Sequence, residues 1–560
     1  MRAVPPRPLP SPARKLRFHP RTIMAGDSSF TDRPADEREQ SRLEQVTSSI
    51  TTALTNDRVW LGIVLVVAAV VVGLYYRSHP YPAYGAGLYL SIAEEILAHG
   101  YRPPMRISGY TAEGVPFVYP PVGFYVTAVL LDLGVDPMTL TRFLPGVVST
   151  VAVIPFYYLA REILGSTPRA GVTASIFAAT PVVLQWHISA GGIVRAPAFL
   201  FTLTGLYCGI RLFRRDHRRW VAPATALFGL TILTHPTYTV FFGASYVLAW
   251  LFYDRSSTGL VAGTAVATGG LVIASPWVAY AVSTHGLEIF AGAAGTHGGL
   301  VQARSPFRVL SELGRPIAAG RTMSLWYLLA LLGGGYLIAR RRFFIPAWFL
   351  VSIVLLHERR FAFVPGTMAI GALMTAPRHV GSDETYRYAT RWLLRGVTAG
   401  LVVLMVAMGG LYAVGTPLHG GTSQPSFVDE EDATAMEWAD EELPADADFV
   451  VLGDAAEWFP YLSDRTILVG PWGVEWNSPA AYRHHLQTYR RLSHCHAETC
   501  LSNQLRRADV RPDYVYVPKG TYTVRGIETQ QRPRMRRSLV RSNDYRLVYE
   551  NRGVMIFRVR

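Results

Sequence analysis

Long apolar runs without charged residues dominate the first three quarters of this chain. Residues 60–76 contain no charged side chain, and similar runs recur up to residue 415. Since a membrane-spanning helix needs about 20 mostly apolar residues, and backbone polar groups in hydrocarbon must be paired internally, the pattern predicts about eleven transmembrane helices. The predicted spans are 60–76, 142–160, 170–186, 196–213, 220–235, 237–253, 259–282, 323–339, 343–356, 361–376 and 396–415. The alternative, buried helices of a large soluble protein, is disfavoured by the number of such runs.

The polar segments divide the chain into domains. Residues 1–57 are rich in Pro, Arg and Ser and are predicted to be a disordered cytoplasmic tail. Residues 58–415 form the predicted transmembrane domain, with a long external loop at 77–140. Residues 416–560 carry far more charge and are predicted to be an extracytoplasmic domain. The predicted fold is therefore a polytopic α-helical membrane protein with a C-terminal α/β domain.

The C-terminal segment contains short stretches of β-branched and aromatic residues. Strands are predicted at 448–452 and 513–517 and as a pair within 545–559, and a helix is predicted at 480–492. Cys495 and Cys500, in the sequence His494-Cys-His-Ala-Glu-Thr-Cys500, have spacing that suits either a disulfide or a zinc site. The disulfide is favoured for a domain outside the cell.

Composition and charge support a membrane protein and indicate its orientation. The hydrophobic share is 50%, the charged share 17% and the mean hydropathy +0.19, whereas soluble domains carry about 25% charged residues. The net charge of +14 lies in loops between apolar runs, which excludes a nucleic-acid-binding protein. Basic clusters at 211–219, 340–342 and 378–395 lie in the cytoplasm by the positive-inside rule. The N-terminus is then cytoplasmic, and the loop 77–140 and the C-terminal domain are external.

The first external loop combines a predicted helix with a Pro-Pro motif. Apolar residues recur at helical spacing from Leu88 to Ile96, and Gly100 is a typical helix stop. The stretch 121–133 is short for a span and is predicted to lie along the membrane interface as a helix. The loop either contributes to a functional site or is a packed, membrane-facing loop without chemistry.

Four motifs together resemble the GT-C type of membrane glycosyltransferases, which includes protein O-mannosyltransferases and lipid A aminoarabinose transferases. The motifs are Ala93-Glu-Glu-Ile96, Tyr119-Pro-Pro-Val-Gly-Phe-Tyr125, Thr141-Arg-Phe-Leu-Pro-Gly146 and Tyr158-Leu-Ala-Arg-Glu162. The resemblance extends over about residues 60–376. It implies that the chain transfers a sugar from a polyprenyl-phosphate carrier to an acceptor protein or glycan at the external face of the membrane.

The resemblance also implies carboxylates at two places where this chain has none. The family usually carries an acid near the start of the external loop, here 84–89, and many members carry another after the third span, here 187–197; both segments lack Asp and Glu. The nearest loop acids, Glu94, Glu95 and Glu113, are therefore the candidate catalytic bases, because a base needs to come within about 3 Å of the acceptor hydroxyl. Alternatively, Glu94 and Glu95 form a solvated helix face.

Arginines at predicted external helix ends are the candidate ligands of the carrier phosphate. Arg359 and Arg360 lie in the polar segment 357–360 between two apolar runs, and Arg195 lies in the turn 187–195. The planar guanidinium suits phosphate oxygens, whereas a charge at the bilayer centre costs about 2.5–3.5 kcal/mol on insertion scales. The alternative for 357–360 is a helix–helix turn anchored at the lipid head groups.

Histidines recur at the same predicted helix ends. His187, His235 and His297, together with Tyr89, are the candidate substrate-binding residues. Converging imidazoles would also suit a divalent metal, the one cofactor that the sequence suggests, although no metal ligand is assigned; a histidine at a helix end is more often a hydrogen-bond donor. His297 lies in the loop 283–322, which is predicted to be a mobile flap over the site.

Two other functions fit the same pattern. A non-catalytic protein that binds lipid-linked sugars or assists assembly would need no carboxylate. A transporter of lipid-linked sugars would use the same helices, although few charges are predicted within the spans and the external loops are long for a carrier. The expected partners are a polyprenyl-phosphate sugar lipid, membrane lipids and, for an enzyme, the acceptor.

Overall fold

The computed structural model describes residues 55–215, 218–290, 323–354, 356, 359–376, 384–415 and 424–560. For a few helical residues, Arg359 among them, only the backbone is described. The predicted tail 1–57 and the predicted flap 283–322 fall largely outside these ranges, as do His297 and His357.

Every predicted span falls on a helix or on a pair of helices. The helices up to residue 413 are α1 (Asp57–Ser78), α2 (Gly87–Ala98), α3 (Val122–Asp132), α4 (Pro137–Leu164), α5 (Thr167–Ala178), α6 (Pro181–His187), α7 (Gly192–Arg215), α8 (Val221–Ile232), α9 (Pro236–Tyr253), α10 (Ser257–His285), α11 (Ser324–Ala339), α12 (Phe344–Val354), α13 (Arg359–Met374) and α14 (Glu384–Ala413). Five helices in the described ranges (α1, α4, α7, α10 and most of α14) are long and apolar enough to cross a membrane. The chain is an integral membrane protein, and the count of eleven spans stays a prediction.

Two helices of the membrane part hold the candidate arginines. α13 packs against α5, α11 and α12, and α7 packs against α4, α8 and α9. The contact of α13 with α11 is close, because a Cβ atom at Gly333 would lie 2.2 Å from the carbonyl oxygen of Ala369. The helices that carry Arg195 and Arg360 are thus each packed among three other helices.

The external loop contains the two helices that the sequence predicts. α2 ends at Ala98, and Gly100 follows with φ of 61°, a left-handed conformation that suits glycine. α3 covers the predicted interfacial stretch. Between them, β1 (Arg106–Ile107) and β2 (Val115–Pro116) form a short antiparallel pair.

The C-terminal part is a mixed α/β unit. Its strands are β3 (Asp448–Val451), β4 (Thr466–Ile467), β5 (Tyr514–Pro518), β6 (Tyr522–Val524), β7 (Glu528–Gln530), β8 (Tyr545–Glu550) and β9 (Val554–Val559), and its helices are α15 (Glu430–Glu442), α16 (Phe459–Ser463), α17 (Pro479–Ser493), α18 (Glu498–Arg507) and α19 (Pro533–Val540). Five strands form one sheet in the order β4-β3-β5-β9-β8, with parallel pairs at β4-β3 and β3-β5 and antiparallel pairs at β5-β9 and β9-β8. The predicted strands and the helix at 480–492 are present, and Cys495 and Cys500 form the favoured disulfide.

The external loop and the C-terminal part share one hydrophobic core. The backbone N–H of Tyr84 donates to the carbonyl of Pro425 at 2.8 Å, and that of Ile467 donates to the carbonyl of Gly109 at 2.8 Å. The C-terminal part therefore lies on the same side of the membrane part as the loop. The location of both outside the cell stays a prediction.

Candidate functional site

Two arginines from different helices flank the indole ring of Trp186. The guanidinium carbon of Arg195, in the first turn of α7, lies 5.1 Å from the ring centroid, and that of Arg360, at the start of α13, lies 5.3 Å from it. Arg360 is only 6% exposed and also lies 5.1 Å from the ring of Tyr238. Because both positive charges adjoin the same ring and that of Arg360 is buried, an anion placed near both groups would be stabilised.

Two glycines allow the turn that brings Arg195 to this position. A Cβ atom at Gly191 would lie 2.3 Å from Nη1 of Arg195, and one at Gly192 would lie 2.5 Å from the carbonyl oxygen of His187. Larger residues would displace either the guanidinium or the end of α6. The Gly-Gly pair thus lets α7 begin directly after α6, with Arg195 beside Trp186.

Hydrogen bonds connect Arg360 to the predicted His235. Nη2 of Arg360 donates to Oγ1 of Thr237 at 3.4 Å, and this hydroxyl lies 2.9 Å from Nδ1 of His235. The other ring nitrogen of His235 lies 3.3 Å from the hydroxyl of Tyr119. The ring of Tyr89 is 5.9 Å from that of Tyr119. The structure thus brings the predicted Arg360, His235 and Tyr89 into one cluster, through two residues that were not predicted.

The predicted His187 is buried and bonds within the protein through both ring nitrogens. Nδ1 lies 2.6 Å from the carbonyl oxygen of Val183, and Nε2 lies 2.6 Å from the hydroxyl of Tyr238. Tyr238 in turn presents its ring face to Arg360. In this structure His187 positions Tyr238, and its contact with a substrate stays a prediction.

The predicted acids of the loop have other partners. Glu94 accepts a hydrogen bond from the hydroxyl of Tyr461 at 2.9 Å. Glu95 accepts one from Ser108 at 2.9 Å and lies 3.5 Å from the ring of His99. These contacts belong to the packing of α2 against its own loop and the C-terminal part.

Glu113 is exposed, in the turn between β1 and β2. Its backbone carbonyl accepts a hydrogen bond from Nε of Arg106 at 2.7 Å. The structure therefore does not bring the three loop acids together with Trp186 and its two arginines, and their catalytic role stays a prediction.

Two carboxylates that sequence reasoning missed come from the C-terminal part. Glu457 is 4% exposed, and Oε2 of Glu457 and Oε2 of Glu475 are both buried without a hydrogen-bond partner among the described residues. Burial raises the pKa of Glu457 to about 8 and that of Glu475 to about 7. The positive charge of Arg195 lowers the pKa of Glu457, and the negative charge of Glu475 raises the pKa of the Tyr119 hydroxyl. Both acids thus lie within electrostatic reach of the cluster, and the ring of Trp476, the residue after Glu475, is 5.4 Å from that of Tyr119.

Asp454 and Arg525 surround these acids. Asp454 is buried and accepts hydrogen bonds from the hydroxyl of Tyr489 at 2.7 Å and from the backbone N–H groups of Arg525 at 2.8 Å and Gly526 at 2.7 Å. The charge of Arg525 favours the ionised forms of both Glu457 and Glu475. Asp454 and Glu457 lie in the segment after β3, an interior strand that pairs in parallel with both of its neighbours, β4 and β5. The region beyond the carboxyl ends of parallel strands is a common place for ligands, and this is the sequence signal that could have identified them.

No metal site is evident in the described ranges. Groups of three or more His, Cys, Asp or Glu side chains placed to hold an ion do not occur there. The ring nitrogens of His187 and His235 have protein groups as neighbours, as described above. The divalent metal that the histidines suggested has no support from these residues.

The fold is similar to that of three membrane transferases of known structure. Against the archaeal oligosaccharyltransferase AglB from Archaeoglobus fulgidus, the identity is 14%, the TM-score 0.50, and the coverage 82% of this chain and 69% of AglB. Against ArnT from Cupriavidus metallidurans, the identity is 14%, the TM-score 0.50, and the coverage 89% of this chain and 98% of ArnT. Against the arabinofuranosyltransferase AftD from Mycobacteria, the identity is 16% and the TM-score 0.55. The match covers 90% of this chain and 40% of AftD, so the chain spans less than half of AftD.

Sequence comparison gives a narrower match. Residues 118–280 match the family described as dolichyl-phosphate-mannose-protein mannosyltransferase. No curated protein matches the chain in sequence. The chain therefore has the GT-C fold, and the resemblance inferred from its motifs is confirmed.

Proposed function

We propose that this chain, an integral membrane protein with the GT-C fold, moves a sugar from a polyprenyl-phosphate carrier to an acceptor hydroxyl on a protein or glycan. The observation that carries the proposal is the pair of guanidinium groups at Trp186, one of which, that of Arg195, acts electrostatically on the buried carboxylate of Glu457 in the C-terminal part. Such a site combines an anion-binding half with an acid–base half, as transfer from a phosphate ester requires.

The neighbours in structure support the choice of donor. The AglB structure is a complex with an inhibitory peptide and a dolichol-phosphate, and the ArnT structure contains undecaprenyl phosphate. In this chain we infer that Arg195 and Arg360 bind the phosphate of such a lipid, with Arg359 as a further candidate. His235 and Tyr89 belong to the same cluster as Arg360 and are proposed to contact the sugar. His187 is proposed to do so once the hydroxyl of Tyr238 moves off its Nε2 atom.

The proposal includes an orientation. Arg218, Arg219 and Arg340 lie at helix ends opposite those that carry Arg195 and Arg360, as the order of the helices requires. By the positive-inside rule we infer that the basic ends are cytoplasmic, which makes the site and the C-terminal part external. Cysteine labelling of intact cells at Asn543, an exposed residue of the C-terminal part, tests this. Protection from an impermeant maleimide would contradict it.

The proposed reaction is tested with the full-length protein in lipid nanodiscs. Polyprenyl phosphates charged with mannose, glucose or arabinofuranose are supplied with cell-envelope acceptors, and lipid-dependent transfer of the sugar is measured. Transfer from at least one donor is expected, and it should be lost when both Arg195 and Arg360 are changed to Met. Binding of these lipids without transfer would favour the non-catalytic alternative, and movement of the lipid across proteoliposomes would favour the transporter.

A further inference from the structure

The carboxylate of Glu457 fills the space above a glycine of the external loop. A Cβ atom at Gly85 would lie 1.2 Å from Oε2 of Glu457 and 2.0 Å from its Cδ, and one at Gly87 would lie 2.3 Å from its backbone carbonyl oxygen. Nε1 of Trp458 donates to the carbonyl of Tyr84 at 3.1 Å. The segment that carries Glu457 therefore packs tightly against residues 84–87. The carboxylate of Glu457 occupies the space that a side chain at position 85 would fill.

One oxygen of this buried carboxylate is left without a protein donor. The backbone N–H of Gly87 donates to the carboxylate, whereas Oε2 accepts no hydrogen bond from the described residues. A buried acceptor left unsatisfied is unfavourable, because it has lost its hydrogen bonds to water without gaining a donor from the protein. Such groups are rare in folded proteins, and each calls for an explanation such as a catalytic role or an absent ligand. A hydroxyl bound at this oxygen would supply the missing donor.

We propose that Glu457 is the general base of the sugar transfer, an assignment that rests on the function proposed above. The acceptor oxygen forms a bond to the anomeric carbon of the sugar while the bond from that carbon to the phosphate oxygen breaks. The hydroxyl proton goes to Oε2 of Glu457, and the bonding electron pair leaves with the polyprenyl phosphate. Arg195 and Arg360 stabilise the charge that develops on this leaving group.

Arg195 connects the two halves of this arrangement. Its guanidinium stacks on Trp186 beside Arg360, and its charge also acts on Glu457. Glu475, the other buried acid, is instead influenced by Arg525 and by its own local backbone. Glu457 is therefore the buried carboxylate on which the charge of Arg195 acts directly, whereas Arg195 is not among the groups that act on Glu475.

The charged groups around Glu457 set the pH range in which it acts as a base. Burial has the largest effect and brings its pKa to about 8; Asp454 raises it, and Arg195 and Arg525 lower it. Tyr110 also faces this residue and donates to its backbone carbonyl at 2.8 Å. A base accepts a proton only when it is ionised, so the rate constant of transfer is expected to rise about tenfold per pH unit and to level off near pH 8.

The test compares Glu457→Gln with the wild-type chain in nanodiscs. The change keeps the side-chain size and removes the basic oxygen, so the rate of transfer should fall by about 10²–10⁴-fold. The Kd for undecaprenyl phosphate should change by less than about threefold, because Arg195 and Arg360 remain. Glu437→Gln, the same change at an exposed position of α15, is the matched control and should keep the wild-type rate.

A second variant tests position instead of loss. In a chain with Glu457→Ala, the change Gly85→Asp restores a carboxylate at the vacated space and should recover at least about tenfold of the lost rate. Equal rates in wild type and Glu457→Gln would overturn the assignment and leave the proposed function intact. The assignment would also be overturned if Glu457→Gln kept its activity while Glu95→Gln or Glu475→Gln lost it. The acid whose variant lost activity would then be the base.

The wild-type chain provides a readout that does not depend on the variants folding. A rate of transfer that is flat between pH 5 and 9 under single-turnover conditions would overturn the role of Glu457. A wild-type chain that transfers sugar from none of the donors overturns the proposed function, and the assignment with it.

Discussion

The change Arg360→Met tests the phosphate site with a defined magnitude. Arg360 is 6% exposed, and its guanidinium carbon lies 5.1–5.3 Å from the ring centroids of Trp186, Tyr238 and Phe361. Methionine keeps most of this packing and removes the charge. A hydrogen bond to a charged group contributes about 1.5–3 kcal/mol, so the Kd for undecaprenyl phosphate should rise by about 10- to 150-fold.

Equilibrium binding of undecaprenyl phosphate to the purified protein is measured by thermophoresis, and Tm is measured in parallel. Arg219→Met is the matched control, because Arg219 also stacks on a tryptophan, with its guanidinium carbon 5.7 Å from the ring of Trp220. It lies beyond the far end of α7, which is about 30 Å along the helix from Arg195. Arg359→Ala is measured beside them as the second predicted ligand. If neither Arg359→Ala nor Arg360→Met weakens binding while Tm is retained, the phosphate assignment is wrong.

Three further predictions concern the contact between loop and C-terminal part, the pH profile and the disulfide. Gly87→Ala places Cβ 2.3 Å from the backbone carbonyl oxygen of Glu457 and should lower the free energy of unfolding by about 1–3 kcal/mol. Gly62→Ala, whose Cβ would have no atom within 4 Å, is the control and should not lower Tm. Equal Tm values for the two variants would contradict this prediction. Arg525→Met removes a charge that lowers the pKa of Glu457, so the rate of transfer should level off at a higher pH, and a shift to lower pH would refute it. Cys495→Ser should reduce stability by roughly 2 kcal/mol in oxidising buffer; a wild-type mass that is the same after alkylation with and without reduction would show that there is no disulfide.

Helix positions could be predicted because they depend on local sequence. Most apolar runs identify helices within a few residues, although α14 begins at Glu384, well before the predicted start at 396; β-branched runs identify the strands at 448–452 and 513–517. The predicted span 170–186 is instead two helices, α5 and α6, since Pro181 lacks the N–H that would continue the first. The two-residue strand β4 was missed because such a short strand has no pattern of its own.

The membrane half of the site could also be predicted from sequence. Arg195, Arg360 and His235 lie at helix ends on one side, so counting the spans is enough to place them together. Helical spacing likewise explains the position of the loop acids. Leu88, Ile92 and Ile96 face the core, which turns Glu94 to the opposite side of the helix, whereas Glu95 lies at the edge of the buried face with 25% of its side chain exposed.

The position of the carboxylates beside the membrane half could not be predicted, because it depends on contacts between distant segments. Glu457 reaches the space above Gly85 only because the chain around 425 and 467 pairs with the external loop. No local pattern encodes that pairing. The glycine itself gives no indication of the acid that occupies the place of its side chain.

A cryo-EM structure of the full chain in nanodiscs with undecaprenyl phosphate tests the central claim most directly. We expect density for the phosphate between the guanidinium groups of Arg195 and Arg360, beside Trp186, with the carboxylate of Glu457 on the opposite side. A phosphate bound at the other end of the helices, for example in the crevice of about 360 Å³ lined by Arg218 and Ser257, would contradict the account.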